Sequence, residues 1–194
     1  MSTRALLAKL HGSTAAGVPR WAAITAYVTT LTVLPASVWR IAGFVFQAPL
    51  MVPSDTPPEG HGPVLFQDGP VYIVALTVVS EVLALLALGL VSRWGEIWPR
   101  WIPGLGGRPV PVAAAVIPAG LGAAALMVFP YALVMMASGR MLDGTPATGG
   151  LITHGWQTVA FWISYVPLAA WGPLLAVLTV HYYRRRRGAP ALAA

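Results

Sequence analysis

Four long runs of apolar residues constrain this 194-residue chain more than any other feature, and they cover approximately residues 21–46, 71–91, 112–137 and 156–182. A helix needs about 20 residues to cross the hydrocarbon core of a bilayer, and every run exceeds that length. Since no water is available there to satisfy free backbone amides, each run must be helical. We therefore predict an all-α integral membrane four-helix bundle that forms a single membrane domain over residues 1–194.

The composition excludes a soluble helical bundle. Charged residues make up only 9% of the chain, whereas soluble domains carry about 25%. The complete lack of cysteine rules out thiol–disulfide chemistry and thiolate-ligated metal sites or clusters. Basic residues are almost all arginine, and alanine, glycine and proline are abundant. Such usage is typical of a GC-rich bacterial genome.

Basic residues alternate strongly from one loop to the next. The loop between the first two runs has none, whereas the N-terminal segment, the second loop and the C-terminal segment are rich in them: Arg4, Lys9, Arg20; Arg93, Arg100, Arg108; Arg184 to Arg187. The positive-inside rule therefore places both termini and the second loop in the cytoplasm of a plasma-membrane protein, with residues 183–194 as a basic tail. Because the basic residues flank the apolar runs, the predicted partner is the lipid bilayer and not a nucleic acid.

Three tryptophans in the second loop predict a short interfacial helix between the second and third spans. Trp94, Trp98 and Trp101 are spaced by four and then three residues, so a helix from Arg93 to Trp101 presents all three indoles on one face. Indole rings favour the headgroup region of a bilayer. The helix would fix the height of the flanking spans; a docking surface for a cytoplasmic partner is the alternative.

The same loop carries a resemblance to a family. Its sequence, RWGEIWPRWIPGLGGRPVP over residues 93–111, is similar to the cytoplasmic loop of small four-span membrane proteins of high-GC Gram-positive bacteria. In those proteins a Trp-Gly-Glu, a Pro-x-Trp and a Gly-Gly-Arg likewise join the second and third spans. The resemblance covers this loop and, loosely, the alanine-rich helices around it. It implies a family without an assigned activity, so no catalytic residues can be carried over from that family to this chain.

Two ionisable residues, Arg40 and Glu81, fall inside predicted spans. Each costs about 2.5–3.5 kcal/mol at the centre of a membrane helix unless it has a partner or a wet cavity. At 1.5 Å per residue their depths differ by about 6 Å, which is within reach of both side chains. We predict an intramembrane ion pair that fixes the register of the helices. The alternatives are an Arg40 that reaches the headgroups beside a protonated Glu81, and a functional site for protons, ions or a polar substrate.

Polar and small residues on the first span form a stripe that predicts a helix–helix seam. Thr25, Thr29, Thr32, Arg40 and Gln47 belong to it, and Ala36 and Gly43 fill the repeat. Such residues allow close approach and interhelical hydrogen bonds. We expect this face to meet the face of the second span that carries Thr77 and Glu81, which are one turn apart. A polar cavity is the alternative interpretation.

His61 and His154 are weak candidates for a metal site. Both fall in loops predicted to lie outside the cell, near several carboxylates, and two histidines with carboxylates could bind zinc. The spacing is not that of a usual zinc motif, so we predict no metal and no cofactor. Hydrolase, phosphate-loop and HExxH motifs are also missing from the sequence, and no catalytic residue is assigned.

The function predicted from these features is that of a non-enzymatic membrane protein, either free-standing or a subunit of a membrane assembly. A homo-oligomer or a membrane-protein partner is compatible with the sequence. The alternative is a small transporter or channel-like protein that uses a polar site around Arg40 and Glu81. A membrane enzyme based on His61 and His154 is the third possibility.

Overall fold

The computed structural model describes residues 14–50, 69–98, 103–104, 106–146 and 154–188. These residues are mostly helical, with isolated β-bridges in the connecting segments. Four helical stretches are long and apolar enough to cross a membrane, and we number them spans 1 to 4: Arg20–Val45, Gly69–Leu90, Val112–Ala137 and Trp156–Gly188. The prediction of an all-α chain with four such helices is confirmed. The predicted ends agree within two residues, except at the C-terminal end of span 4.

Each span consists of shorter helical pieces. Span 1 contains α1 (Arg20–Leu31), α2 (Leu34–Arg40) and a π-helix (Ile41–Val45); span 2 contains α3 (Gly69–Leu86) and a 3₁₀-helix (Ala87–Leu90); span 3 contains α4 (Val112–Leu126) and α5 (Val128–Ala137); span 4 contains α6 (Trp156–Tyr165), a 3₁₀-helix (Pro167–Ala170) and α7 (Trp171–Gly188). A further 3₁₀-turn, Arg93–Gly95, follows span 2.

Proline accounts for the interruptions in spans 1, 3 and 4. A proline has no amide hydrogen and cannot donate to the carbonyl four residues earlier. Pro35 lies in the first turn of α2 and leaves the carbonyl of Leu31, the last residue of α1, without that bond. Pro130 stands in the same relation to Leu126, where α4 ends. Pro167 begins the 3₁₀-helix of span 4. The sequence therefore sets these breaks locally.

The chain forms two compact units, and every span contributes to both. The first unit comprises residues 1–30, 84–125 and 172–194, and the second comprises residues 31–83 and 126–171. Among the described residues, the first unit carries Arg20, Arg93, Arg108 and Arg184 to Arg187, with Glu96 as its one acid. The described arginine, acidic and histidine residues of the second unit are Arg40, Glu81, Arg140, Asp143 and His154. The two units therefore differ sharply in charge.

Span 4 extends beyond its predicted end. The helix α7 continues through the arginine run to Gly188, so the described part of the predicted basic tail is helical. Basic side chains at the C-terminal end of a helix interact favourably with its dipole and its free carbonyls. An arginine run that looks like a polar tail in the sequence is therefore the last two turns of a helix.

Candidate functional site

Glu81 in span 2 is held by a neutral hydrogen bond within the second unit. The hydroxyl of Ser37, on α2, donates to the Glu81 carboxylate over 2.6 Å. Ser37 is buried, and Glu81 is half-buried. A hydroxyl donor partly compensates for removing a carboxylate from water. The Ser37–Glu81 hydrogen bond joins spans 1 and 2.

Arg40 has a different partner from the one predicted. Its Nε donates to the carbonyl of Ala36, one turn earlier on the same helix, over 3.2 Å. Among the described residues the one ion pair is Arg185–Glu96, so the direct Arg40–Glu81 pair is not formed. Ser37 precedes Arg40 by three residues, about one helical turn, on the same helix, and it is the Ser37 position that lies opposite Glu81. Sequence reasoning found the two charged residues but missed the serine between them.

Three buried polar atoms among the described residues of the second unit have no hydrogen-bond partner. They are Oγ1 of Thr77, one turn before Glu81, Nε1 of Trp39 and Nε1 of Trp171. The Trp39 ring packs edge-on against Phe161 and Tyr165, with centroids 5.6 and 5.4 Å away. The wall beside Ser37 and Arg40 is therefore aromatic. Buried polar atoms without partners are rare enough to mark a place of interest.

The predicted seam on span 1 is confirmed in part by burial. Thr29, Thr32, Ala36 and Gly43 are all buried. Within the first unit the neighbouring Thr30 donates from its hydroxyl to the carbonyl of Ala84 on span 2 over 3.2 Å. Thr30 does not belong to the predicted stripe, Thr25 is half-buried and Gln47 is exposed. The seam is therefore supported by burial at the four positions alone.

The candidate metal ligands do not come together in the described residues. His154 is exposed, at the start of span 4, where its backbone amide donates to the side chain of Gln157. His61 lies outside the residues that the structure describes. Within the described residues, no group of three or more histidine, aspartate or glutamate side chains is placed to hold a metal.

Asp143 in the loop between spans 3 and 4 belongs to a local turn. The hydroxyl and the backbone amide of Thr145 donate to its carboxylate over 2.6 and 3.0 Å. The Thr145 hydroxyl, with help from the Thr145 amide, lowers the pKa of the fully exposed Asp143 carboxyl below its ordinary value of 3.8. The Asp143 carboxylate therefore stabilises a turn within its own loop.

The loop after span 2 is not the predicted interfacial helix. Within residues 93–98, the part of the predicted helix that the structure describes, helical geometry is limited to one 3₁₀-turn at Arg93–Gly95, and Ile97 then pairs with Pro109 in a β-bridge. The amide of Trp98 donates to the carbonyl of Arg108 over 2.9 Å. This amide therefore pairs with the later part of the same loop and does not form a helical hydrogen bond. Trp94 is exposed and Trp98 is half-buried; Trp101 lies outside the described residues.

Two glycines bring the end of span 2 and the following turn into direct contact. The ring of Trp94 covers Gly89 so closely that a Cβ added at Gly89 would lie 2.6 Å from it. A Cβ added at Gly95 would overlap the backbone carbonyl of Gly89. Only glycine at both positions permits this approach. The Trp-Gly-Glu motif therefore has a structural use at its first two residues.

The third residue of the motif, Glu96, forms an ion pair with Arg185 of α7. Arg185 Nη2 lies 2.6 Å from Glu96 Oε1, and the two side chains are only 11% and 19% exposed. The same guanidinium donates to the carbonyls of Ala16 and Leu90 over 2.9 and 3.5 Å. A guanidinium offers five donors in a planar fork, so one arginine can hold three segments of the first unit.

Neighbouring residues of α7 reinforce this attachment. The buried Tyr182 donates from its hydroxyl to the carbonyl of Gly95 over 3.1 Å. Arg186 Nη2 donates to the carbonyl of Val110 over 2.9 Å. We call Tyr182, Arg185, Arg186 and Glu96 the arginine cluster. It fastens the loop between spans 2 and 3 to the end of span 4.

Sequence reasoning missed the arginine cluster because it treated the arginine run as a tail. A helical reading of residues 178–186 would have found it, since Leu178, Tyr182 and Arg185 recur at the spacing of one buried helix face. Glu96 was the natural partner, as the lone acid among the basic segments.

The chain was also compared with models of protein families, with curated proteins and with solved structures, and nothing matched.

Proposed function

We propose that this chain is a non-enzymatic multi-pass protein of the plasma membrane that works as a subunit of a membrane assembly. In this proposal both termini and the loop between spans 2 and 3 are cytoplasmic. Support comes from span 3, all of whose residues the structure describes. In it only Ala123 is buried, whereas a third or more of the most apolar segment of each other span is buried. About half of the residues of span 3 are exposed and most of the rest are half-buried, with contacts to span 4 such as the stacking of Phe129 on Trp171, so the exposed half is available to other molecules.

The surface of span 3 has the chemistry of a helix–helix contact. Most of α4 is alanine and glycine, and no atom lies within 4 Å of a Cβ added at Gly120. Helices in a bilayer associate by close packing at small residues, because burial of apolar surface gives little advantage there. A second membrane-spanning chain or another copy of this one therefore suits this surface better than a soluble partner does.

The same proposal assigns Trp94 and Trp98 to the headgroup region as anchors. Trp94 follows the last residue of span 2, Leu90, by one helical turn of sequence and Trp98 lies further along the loop, and Trp94 keeps 38% of its surface exposed. We also propose membership of the family that the 93–111 loop resembles. The contacts of Gly95 and Glu96 support this, since they give the Trp-Gly-Glu motif a role that depends on residue identity.

The experiment is extraction of the tagged full-length chain in a mild detergent, followed by mass measurement with the detergent contribution removed. We expect a complex heavier than the 20.4 kDa monomer. The variant Ala124→Leu, on the exposed surface of span 3, should dissociate it, because the larger side chain prevents close approach. Ala75→Leu, on an exposed face of span 2, is the matched control and should not. A monomeric wild type without any bound protein would contradict the proposal.

A small transporter or channel-like protein is the second candidate. The observation that favours it is the half-buried Glu81 carboxylate, which has the unpartnered hydroxyl of Thr77 one turn away. Ionisable groups inside membrane helices often mark paths for ions or protons. Arg40 would contribute the positive charge of such a site.

Cysteine labelling tests this second candidate directly, because the chain has no cysteine of its own. A transport path predicts that Thr77→Cys and Ser37→Cys react with a charged, membrane-impermeant thiol reagent. Ala84→Cys, at a position with no exposed surface, is the unreactive control. Failure of both test positions to react, in protein that retains its fold, would reject the path.

A further inference from the structure

The arginine run at the end of α7 divides into two pairs that face different surroundings. Arg185 and Arg186 are partly buried and donate to backbone carbonyls within the first unit. Arg184 and Arg187 are exposed. They are three residues apart, so they lie on one face of the helix. The run therefore contains an inward pair with structural contacts and an outward pair pointing to solvent.

The outward pair is arranged to receive an anion. The guanidinium of Arg187 lies over the ring of Tyr183, 4.6 Å from its centroid. Such stacking orients the guanidinium and leaves the edges of its plane, which carry the N–H donors, free to bind. Arg184 is one turn away on the same face. Two guanidinium groups at this spacing match the oxygen atoms of a phosphate group.

Other exposed arginines lie at the same end of the first unit. Arg20 precedes Trp21, whose ring contacts His181 of α7 at 4.9 Å. Arg93 lies three residues before Glu96, which pairs with Arg185. Both arginines are exposed. Trp21 and Glu96, which are close in sequence to Arg20 and Arg93, therefore contact α7 directly.

Nothing in the first unit opposes this positive charge. Glu96 is its one acidic residue, and Arg185 neutralises it at 2.6 Å. Each exposed arginine also lies within about a turn of the end of an apolar span. In an inserted protein that is the height of the lipid phosphates, and Trp21 and Tyr183 beside the arginines are typical of this level.

We propose that Arg184 and Arg187, supported by Arg20 and Arg93, form a binding site for the phosphate group of anionic phospholipids. The inward pair Arg185 and Arg186 takes no part in it. The site rests on the proposed insertion in a membrane but not on the proposed assembly through span 3. An arginine near an anionic surface contributes about fivefold to binding, so the outward pair contributes about 25-fold.

Native mass spectrometry of the delipidated full-length chain tests the site. Phosphatidylglycerol and phosphatidylcholine with different acyl masses are added in equal amounts, and the ratio of the two singly bound species is measured. We expect wild type to prefer phosphatidylglycerol, and Arg184→Gln/Arg187→Gln to lose about 25-fold of that preference. The mass of the protein species in the same spectrum reports assembly separately. The lipid-binding proposal and the assembly proposal can therefore fail independently of each other.

Single variants supply the matched control. Arg184→Gln and Arg187→Gln should each lower the preference about fivefold. Arg140→Gln removes the same charge from an exposed arginine of the second unit and should leave the preference unchanged. Near-ultraviolet circular dichroism verifies that each variant keeps its fold.

Three results would overturn the proposal. One is an unchanged lipid preference in the double variant. The outward arginines would then only interact with the dipole and free carbonyls at the C-terminal end of α7. Another is an equal loss in Arg140→Gln, which would mean that net charge alone matters. The last is displacement of phosphatidylglycerol by inorganic phosphate at the same concentration, which would make the site one for free phosphate.

Discussion

The two units of this chain hold their polar groups by different chemistry. In the first unit, charged side chains do this work: Arg185 joins Glu96 and two backbone carbonyls, and Arg186 joins a third. In the second unit, the Glu81 carboxylate accepts a hydrogen bond from the neutral Ser37. Aromatic rings around Trp39 fill the space nearby.

The difference follows from where the polar groups lie along the spans. At the end of a span, loop carbonyls lack helical partners, and an arginine with five donors satisfies several of them at once. Inside a span the backbone already satisfies its own hydrogen bonds, and the half-buried Glu81 carboxylate has a hydroxyl donor that partly compensates for its removal from water. Charge is used where the backbone is irregular. Four substitutions, ordered by expected effect, test this comparison.

Gly95→Ala should have the largest effect, because its Cβ would overlap the carbonyl of Gly89. Forced displacement of packed backbone typically costs 1–3 kcal/mol, and we expect about 3 kcal/mol of unfolding free energy here. The measurement is denaturation in mixed micelles with increasing dodecyl sulfate. Gly120→Ala, where an added Cβ meets no atom within 4 Å, is the control and should be neutral or stabilising.

Arg185→Gln should come next. It removes the ion pair with the partly buried Glu96 and frees the carbonyls of Ala16 and Leu90. We expect a loss of about 2 kcal/mol, measured in the same denaturation experiment. Arg184→Gln, exposed one residue earlier, should change stability by less than about 0.5 kcal/mol. Equal losses in the two variants would remove the distinction between inward and outward arginines.

Ser37→Ala tests the neutral contact of the second unit. Without the hydroxyl, the Glu81 carboxylate loses the 2.6 Å hydrogen bond that spans two helices. We expect a loss of about 1–2 kcal/mol of unfolding free energy. Glu81→Gln keeps an acceptor oxygen for Ser37, so its effect should be smaller. A larger loss in Glu81→Gln than in Ser37→Ala would show that the carboxylate has another partner.

Thr145→Val should have the smallest effect and reports on pH. The Thr145 hydroxyl lowers the pKa of Asp143, so the folded state favours the carboxylate. That contribution is present above the ordinary pKa of 3.8 and is lost as the pH falls through the lowered folded value. A carbon-13 NMR titration of Asp143 should show a higher pKa in Thr145→Val and little change in Thr145→Ser. A pKa unaffected by Thr145→Val would contradict this.

The spans were predicted well from the sequence because the apolar contributions of many neighbouring residues add up along each span. Length and apolar content over twenty or more residues fix a helix even where Pro35 or Pro130 interrupts it. Burial of Thr29 and Ala36 also followed from helical spacing. These properties depend on neighbours along the chain.

The partners of the polar residues were harder to predict, because they depend on the register between helices. A shift of one turn decides whether Glu81 meets Arg40 or Ser37. The loop after span 2 failed as a helix because the Trp98 amide pairs with Arg108, a contact that tryptophan spacing does not reveal. The arginine cluster required knowing that α7 continues past the apolar run.

The most direct test of the account is the side of the membrane on which each loop lies. Gly106→Cys, Met141→Cys and Gly188→Cys are unique thiols at exposed positions of an otherwise cysteine-free chain. We expect a membrane-impermeant maleimide to label Met141→Cys in intact cells, and to label Gly106→Cys and Gly188→Cys only after permeabilisation. Labelling of all three in intact cells, or of Gly188→Cys alone, would contradict four crossings with cytoplasmic termini.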